Sequence, residues 1–290
     1  MTRTLRVGDI AYTNVLPVTH FLPDITRHLP GVELVPQVPA QLNAAMRKGL
    51  IHVGPMSSFA YAENAHLYAL LPGLSVSAKG PVGSIFLFHK RPLDEVKRGV
   101  VALTNTSATS VALLKILLEG YGGGAPTYLT MAPSLEDMLK RADAALLIGD
   151  DAILARRRYG REVAHIDLGE WWHRETGLAM TFAVWAVRRD ILDAEPEQVG
   201  LLYRALLVSK RFGALRRDAV IRAAQERCGG SRDFWRAYFA GLSHDLGETE
   251  LRGLKRYVAD ARRLGLLSGP VSFTLWDPRE ARPAEWVRGI

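Results

Sequence analysis

A dense run of hydroxyl side chains stands at the start of an apolar helix pattern. Thr104, Thr106, Ser107, Thr109 and Ser110 occupy five of seven consecutive positions. The four residues before them, Val-Val-Ala-Leu, are typical of a buried strand, and apolar residues recur at helical spacing after them. The run therefore lies where a helix begins, with unpaired N–H groups and the positive end of the helix dipole. This position predicts an anion site.

The number of hydroxyls exceeds what a helix cap needs. One hydroxyl caps a helix and contributes about 1 kcal/mol, so four or more indicate donors that face a ligand oxygen. Plain capping and solvation are the alternative interpretation. Uncharged hydroxyls suit a carboxylate better than a polyphosphate, which usually recruits Lys or Arg. A similar loop, Ser57 and Ser58 before Phe59 and Ala60, predicts a second such site and hence a ligand with two carboxylates.

The elements that position these loops follow a repeated strand, helix, strand order. Each second strand ends in glycine and a polar loop, which is where open α/β sheets bind ligands. A Ser134 and Asp137 pair marks the helix start of the second unit. The predicted ranges are 32–35, 40–48 and 51–54 in the first unit, and 128–130, 134–141 and 144–148 in the second.

Two further apolar strands, 84–89 and 181–187, bracket the second unit, and the chain after residue 190 has helical patterns. If the chain leaves the first lobe by one strand and returns by the other, the two strands form a hinge. We therefore predict an α/β fold of two lobes around a central cleft. Lobe one would comprise residues 1–86 and 186–290, including the C-terminal helices, and lobe two residues 87–185.

The net charge of +7 raises the question of a nucleic-acid or membrane partner. Basic residues of the last hundred positions are spaced as on the wet faces of amphipathic helices, and no nucleic-acid recognition motif accompanies them. The N-terminal apolar run is broken by Gly8 and Asp9, and no stretch approaches the roughly 18 apolar residues of a spanning helix. We expect no nucleic acid, no membrane and a cytoplasmic location. Paired amphipathic C-terminal helices are compatible with a homodimer.

Cysteine and histidine usage argues against a metal site. The single cysteine, Cys228, excludes an internal disulfide and a cysteine-based cluster. The histidines His20, His28, His52 and His89 show no ligand spacing with carboxylates. We therefore expect a metal-free site.

Several stretches together resemble one family, the chorismate dehydratases of the futalosine route to menaquinone. They occur in order over the first two-thirds of the chain, which is more specific than any single motif. The matching stretches are Val-Gly-Asp-Ile-Ala-Tyr-Thr-Asn-Val-Leu-Pro at 7–17, Gly-Pro-Met-Ser-Ser-Phe-Ala-Tyr-Ala at 54–62, Ser-Val-Ser-Ala-Lys-Gly-Pro-Val-Gly-Ser-Ile-Phe-Leu-Phe at 75–88, the hydroxyl-rich stretch at 103–117, Leu-Leu-Ile-Gly-Asp-Asp-Ala at 146–152 and Asp-Leu-Gly-Glu-Trp-Trp-His-Arg-Glu-Thr-Gly-Leu at 167–178.

This resemblance implies a fold and an activity. The fold would be like that of a type 2 periplasmic binding protein, with a hinge and a central cleft. The activity would be that of a carbon–oxygen hydro-lyase, removing water from chorismate, a small dicarboxylate, to give 3-[(1-carboxyvinyl)oxy]benzoate without a cofactor. The alternatives are the 1,4-dihydroxy-6-naphthoate synthase of the same pathway and a non-catalytic protein that binds small anions.

The resemblance also implies site residues. Asn14 would orient the substrate or stabilise developing negative charge, and Asp150 is the one plausible base among the matched polar positions. The alternative for Asp150 is a cap of the following helix or a brace of the loop. The alternative proton acceptor is the substrate's own enolpyruvyl carboxylate. The expected substrate-binding residues are Ser57, Ser58, Ser84, Thr106, Ser107, Thr109, Ser110 and Thr176.

Overall fold

Two β-sheets organise the part of the chain that the computed structural model describes, residues 4–37 and 39–280. Most strands are short apolar runs, as expected of strands covered on both faces. The strands are β1 (Leu5–Ile10), β2 (Val32–Gln37), β3 (Val53–Ser57), β4 (Tyr68–Ala78), β5 (Ile85–His89), β6 (Val100–Thr104), β7 (Thr127–Met131), β8 (Ala144–Ile148), β9 (Ala164–Asp167), β10 (Met180–Arg188) and β11 (Leu242–Ser243).

Helices cover these sheets and fill the connections between the strands. A π-helical segment, Ile116–Tyr121, continues α6, and a 3-10 turn, Thr13–Val15, precedes α1. The helices are α1 (Leu16–Thr19), α2 (Leu22–Thr26), α3 (Pro39–Arg47), α4 (Ser58–Glu63), α5 (Leu93–Val96), α6 (Ala108–Lys115), α7 (Leu135–Arg141), α8 (Gly149–Tyr159), α9 (Leu168–Thr176), α10 (Arg189–Ala194), α11 (Pro196–Leu215), α12 (Arg217–Cys228), α13 (Arg232–Gly241) and α14 (Glu248–Arg263).

The first sheet has six strands in the order β11-β4-β10-β3-β1-β2. β1 runs parallel to β2 and β3, whereas β10 is antiparallel to both β3 and β4. Helix α3 packs closely on β1 at Gly8, where a Cβ atom would lie only 2.2 Å from a methyl carbon of Leu42. Glycine at this position therefore lets the buried Leu42 side chain seal one face of the sheet.

The second sheet has five strands in the order β7-β6-β8-β5-β9. Its alternating strand residues feed two hydrophobic clusters. Phe86, Phe88 and Leu147 pack on one face with Met138 of α7, while Leu87 and neighbouring side chains on the other face join the larger core. Full burial of each such side chain contributes roughly 1.5–3 kcal/mol. This packing holds the strand ends, and hence the loops after them, in fixed positions.

The observed elements match both predicted strand, helix, strand units, and the sequence analysis missed β4, β9 and β11. The predicted strand at 181–187 belongs to the first sheet, and the predicted strand at 84–89 belongs to the second. The chain therefore crosses between the sheets in residues 79–84 and 168–179, and not within the two strands from which we expected a hinge. An apolar strand does not reveal its partner in its own sequence, and β10 finds β3 on one side and β4 on the other. The predicted lobe limits stay a prediction.

Candidate active site between the two sheets

A cavity of about 70 Å³ lies between the two sheets. It is found where Ile10 and Ser57 end strands of the first sheet and Ile148 ends a strand of the second. The carboxyl ends of strands are the usual ligand-binding edge of an open α/β sheet. The lining residues are Ile10, Tyr12, Asn14, Val15, Ser57, Val76, Ile85, Thr106, Ser107, Ser110, Ile148, Gly149, Phe182 and Ala183.

Ser57 and Ser58, at the start of α4, have different surroundings although they are adjacent. The Ser57 hydroxyl accepts a hydrogen bond from the Ala60 N–H (3.3 Å) and one from the Asn43 amide (3.3 Å), and Ser57 lines the cavity. The buried Ser58 hydroxyl instead donates to the carbonyl oxygen of Thr181 on β10 (2.7 Å). Of the two predicted binding residues here, the structure places Ser57 at the cavity, while Ser58 attaches the helix to its own sheet.

The hydroxyl-rich stretch at the start of α6 divides in the same way. Ser107 caps the helix by accepting from the Ser110 N–H (3.2 Å), and it lines the cavity together with Thr106 and Ser110. The Thr104 hydroxyl shares a hydrogen bond with that of Thr106 (2.8 Å). Thr109 is buried and is not among the lining residues. Three of the five hydroxyls therefore face the cavity, and Thr104 holds one of them in place.

Thr109 connects the two sides of the cleft. Its hydroxyl oxygen accepts a hydrogen bond from the N–H of Phe59, near the start of α4 (3.0 Å). The carbonyl oxygen of Thr109 accepts a second one from the Tyr257 hydroxyl of α14 (3.1 Å). The predicted binding residue Thr109 therefore joins the start of α6, on the second sheet, to α4 and α14 of the first sheet.

Asn14 presents an unpaired polar atom to the cavity. Its side-chain Oδ1 is buried and has no hydrogen-bond partner within the described residues, and Asn14 lines the cavity. The Asn14 carbonyl oxygen lies 2.7 Å from Nε2 of the buried His244. Burial lowers the pKa of His244 to about 4, so at neutral pH the ring is uncharged and its Nε2–H donates to Asn14. This bond holds the Asn14 backbone in place. The side-chain Oδ1 has no hydrogen-bond donor within the described residues.

Tyr12 lines the same cavity, and the sequence did not single it out. Its ring lies against Gly149, where a Cβ atom would be 3.3 Å from two ring carbons and where φ is +61°. Thr106 lines the same cavity. Burial raises the pKa of Tyr12, and the nearby carboxylates of Asp150 and Asp151 raise it further. A tyrosine in a loop carries no periodic signal, so only the fold reveals this contact.

Asp150 lies beside the cavity and is not among its lining residues. Its Oδ1 accepts hydrogen bonds from the hydroxyl (2.6 Å) and the N–H (3.1 Å) of Thr13, the residue before Asn14. It also interacts with the thiol of Cys228, whose pKa burial and this carboxylate raise to about 12. The geometry is that of the brace that the sequence left open as an alternative, since it joins α8 of the second sheet to the turn carrying Asn14.

Ser84 and Thr176 are not among the residues that line the cavity. The buried Ser84 hydroxyl accepts from the Tyr238 hydroxyl (3.0 Å). The Thr176 hydroxyl donates to the Trp172 carbonyl oxygen (2.7 Å) and accepts from the Leu178 N–H (3.1 Å), which closes the C-terminal end of α9. Both side chains form hydrogen bonds within the protein, and neither contributes to the lining of the cavity.

Asp167 is a second residue for which the sequence analysis predicted no role. Its buried carboxylate accepts from the N–H groups of Val82 (3.0 Å) and Gly83 (2.7 Å) on one crossing, and from Gly169 (2.8 Å) and Glu170 (3.1 Å) on the other. Burial raises the pKa of Asp167, and the four backbone donors oppose that shift. Asp167 therefore ties the two crossings between the sheets to each other.

A larger cavity of about 340 Å³ adjoins the site and shares Thr106 and Ser107 with it. Asn43, Arg47 and Glu63 of the first sheet's helices also line it. Partial burial raises the pKa of Glu63, and the charge of Arg47 opposes this shift. The hydroxyls of the α6 start are thus accessible from a roomier polar space.

Residues 4–37 and 39–280 contain no cluster of three or more His, Cys, Asp or Glu side chains arranged to hold a metal ion. No helix within them has the length and apolar character needed to cross a bilayer.

Comparison with known proteins agrees with the sequence motifs. Residues 5–263 match the family described as menaquinone biosynthesis. A chorismate dehydratase from Thermus thermophilus is 36% identical over 282 residues, covering 92% of this chain and 97% of the relative. A 1,4-dihydroxy-6-naphthoate synthase from the same organism is 26% identical over 241 residues, covering 78% of this chain and 81% of the relative.

Solved structures with the same fold include binding proteins. A protein from Archaeoglobus fulgidus superposes with a TM-score of 0.76 at 19% identity, covering 91% of this chain and 98% of its own. The periplasmic aliphatic sulphonate binding protein of Escherichia coli superposes with a TM-score of 0.68 at 15% identity, covering 98% and 94%. These likenesses confirm the predicted two-lobed α/β fold of the type 2 periplasmic binding proteins.

Proposed function

The chain belongs to the menaquinone biosynthesis family, and we propose that it is a chorismate dehydratase, a hydro-lyase that converts chorismate into 3-[(1-carboxyvinyl)oxy]benzoate and water. The unpaired Oδ1 of Asn14 in a cavity walled by hydroxyls carries this proposal. A buried acceptor without a partner costs about 1–3 kcal/mol. The ring hydroxyl of chorismate is a donor that would satisfy it. The 36% identical chorismate dehydratase supports the same substrate.

Two sets of neutral donors are available for the two carboxylates of chorismate. Thr106, Ser107 and Ser110 surround the start of α6, where free N–H groups and the helix dipole favour an anion. Ser57 lies on the opposite wall, next to the amide of Asn43. Hydroxyls bind a carboxylate without the strong electrostatic hold of arginine, which lets substrate and product exchange.

Dehydration removes the proton of C3 and the hydroxyl of C4, and the ring becomes aromatic. Within the described residues, no carboxylate or imidazole lines the cavity, and Asp150 is engaged with Thr13. We therefore assign proton removal to the enolpyruvyl carboxylate of the substrate and a positioning role to Asp150. Asn14 orients the departing hydroxyl by accepting its hydrogen bond.

The size of the cavity suits a closed state. At about 70 Å³ it is well below the roughly 300–1,000 Å³ of typical small-molecule pockets. Substrate therefore enters while the lobes are apart, and closure removes water from the reacting bonds. The cytoplasmic location, the homodimer and the cofactor-free reaction expected from the sequence belong to the same proposal.

The test is incubation of purified, chelator-treated protein with chorismate, followed by chromatography and mass spectrometry of the products. We expect 3-[(1-carboxyvinyl)oxy]benzoate from the parent protein and a rate at least ~10²-fold lower from Asn14→Ala, the scale of losing one positioned polar group. Gln198→Leu is the matched control, because its Oε1 is also buried and unpaired but lies far from the cavity lining.

Other outcomes identify the rivals. Chorismate that binds unchanged, seen by calorimetry, would show a binding protein. Neither binding nor turnover would overturn the proposal and favour the 1,4-dihydroxy-6-naphthoate synthase, to which the chain is 26% identical. Equal turnover by Asn14→Ala and the parent would support the proposed activity and show that Asn14 has no role in it.

A further inference from the structure

The departing hydroxyl of a dehydration needs a proton, and the donor of that proton is still unassigned. Water is a very weak acid, so hydroxide is a poor leaving group unless it is protonated as the bond breaks. Among the described residues that line the cavity, Tyr12 is the only one with a titratable side chain. The others are apolar residues, hydroxyls, glycine and the amide of Asn14.

Tyr12 is held in one position. Its ring packs on Gly149 of the second sheet, and the Thr106 side chain at the hydroxyl-rich start of α6 lines the same cavity. Asn14 follows two residues later on the same loop and also lines the cavity. A hydroxyl that donates to the Asn14 Oδ1 keeps its oxygen lone pairs free for the Tyr12 phenol.

We propose that Tyr12 is the catalytic acid of the dehydration, an inference that rests on the proposed function and goes beyond it. The C3 proton passes to the enolpyruvyl carboxylate, and the C3–H electron pair forms the new ring π bond. The C4–O bond breaks, and the leaving oxygen takes the Tyr12 proton, so that water is released. The proton on the substrate carboxyl group then returns to the phenolate through solvent, which balances the reaction without a co-reactant.

The surroundings keep this acid protonated. Burial is the main reason that the pKa of Tyr12 is raised above its usual value near 10, and the carboxylates of Asp150 and Asp151 on α8 add to it. The Thr106 side chain acts in the opposite direction. Because water has a pKa of about 15.7, proton transfer from a phenol to a departing hydroxide is downhill even with this shift.

The first experiment compares Tyr12→Phe with Tyr203→Phe. Phenylalanine keeps the ring that packs on Gly149 and removes the proton. We expect kcat to fall by about 10² or more while KM changes less than about threefold. Tyr203→Phe, which removes a phenol bonded to the Pro72 carbonyl oxygen of the first sheet, should keep the parental kcat. A Tyr12→Phe kcat within about threefold of the parent would overturn the proposal.

A second experiment separates acid catalysis from packing. A chorismate analogue with fluoride in place of the C4 hydroxyl has a leaving group that needs less protonation, so Tyr12→Phe should slow its elimination far less than that of chorismate. Equal slowing of both substrates would assign Tyr12 to positioning and overturn the acid role. Failure of the parent protein to dehydrate chorismate would instead overturn the proposed function.

A third measurement does not depend on the phenylalanine variant folding. Site-specific 3,5-difluorotyrosine at position 12 retains the hydroxyl and the ring but makes the phenol more acidic. Because catalysis requires the protonated phenol, kcat should be lost as pH rises through the phenol pKa, and this alkaline loss should begin at lower pH in the fluorinated protein. The groups that face the phenol are Asp150, Asp151 and Thr106 in both proteins. An unchanged pH profile would contradict the acid role.

Discussion

The wall of the cavity that belongs to the first sheet presents a phenol, an amide and one hydroxyl, from Tyr12, Asn14 and Ser57, whereas the wall from the second sheet presents the hydroxyls of Thr106, Ser107 and Ser110. One wall therefore carries the groups able to donate or redirect a proton, and the other carries donors for negative charge. Neither wall alone can both bind and convert a dicarboxylate. The difference shows that bringing the walls together assembles the site.

The two walls are also anchored differently. Asn14 is held by the neutral His244 of its own lobe, in addition to the bond from the neighbouring Thr13 to Asp150 across the cleft, and Ser57 is held by Asn43. The start of α6 is fixed across the cleft, by the bond between Thr109 and Phe59. The first wall should thus respond to the protonation of its support, and the second wall to the loss of a contact between lobes.

Acid should weaken the first wall most. In the unfolded chain His244 takes up a proton below about pH 6.5, but in the folded protein only below about pH 4. The unfolded state binds more protons between these values, so folding stability falls as pH decreases through that window, by about 3 kcal/mol in total. Urea unfolding at pH 7 and 4.5, followed by tryptophan fluorescence, should show a loss that is absent from His244→Gln. The exposed His66→Gln should behave as the parent, and equal losses in all three proteins would contradict the assignment.

Removing the contact across the cleft should have the next largest effect. Thr109→Val keeps the shape of a buried side chain but deprives the Phe59 N–H of its acceptor, which should lower the free energy of unfolding by about 2 kcal/mol. The KM for chorismate should rise as well, because this bond would no longer hold the two walls in their relative positions. Thr127→Val, at an exposed position of β7, is the control. A stability loss with an unchanged KM would break the link between this contact and closure.

Single hydroxyls should have the smallest effects. Ser107→Ala removes both a helix cap and a cavity donor, so we expect about 1 kcal/mol less stability and a KM about fivefold higher. Ser134→Ala removes the equivalent cap of α7, where Ser134 accepts from the Asp137 N–H at an exposed site, and should reduce stability alone. Steady-state kinetics with thermal denaturation distinguishes the two. Equal KM values would place the anion site elsewhere.

Local signals in the sequence predicted the parts of the site that are local in the chain. The helix starts at Ser57, Ser107 and Ser134 were predictable because a cap and the N–H that it accepts from lie within three residues. The same reasoning could not tell which hydroxyls face the ligand. The hydroxyls of Ser58 and Thr109 form hydrogen bonds with residues 123 and 50 positions away in the chain.

Residues whose partners are distant escaped prediction or were given a different role. Asp150 is a carboxylate at a helix start, a pattern equally typical of a base and of a brace, and only its contact with Thr13, 137 residues away, distinguishes them. Tyr12 meets Gly149 across the same distance in the chain. The crossings between the sheets were predicted within β5 and β10 for a related reason. The sequence of β10 does not show with which strands it pairs.

The bonds at Asp167 determine how the cleft can open. A single carboxylate receives N–H groups from both connections between the sheets, so the two connections cannot slide past each other. We therefore expect the cleft to open by a rotation whose axis passes near Asp167. Displacement in a rotation grows with distance from the axis, and a small angle at this carboxylate becomes a wide aperture at the far end of the cleft.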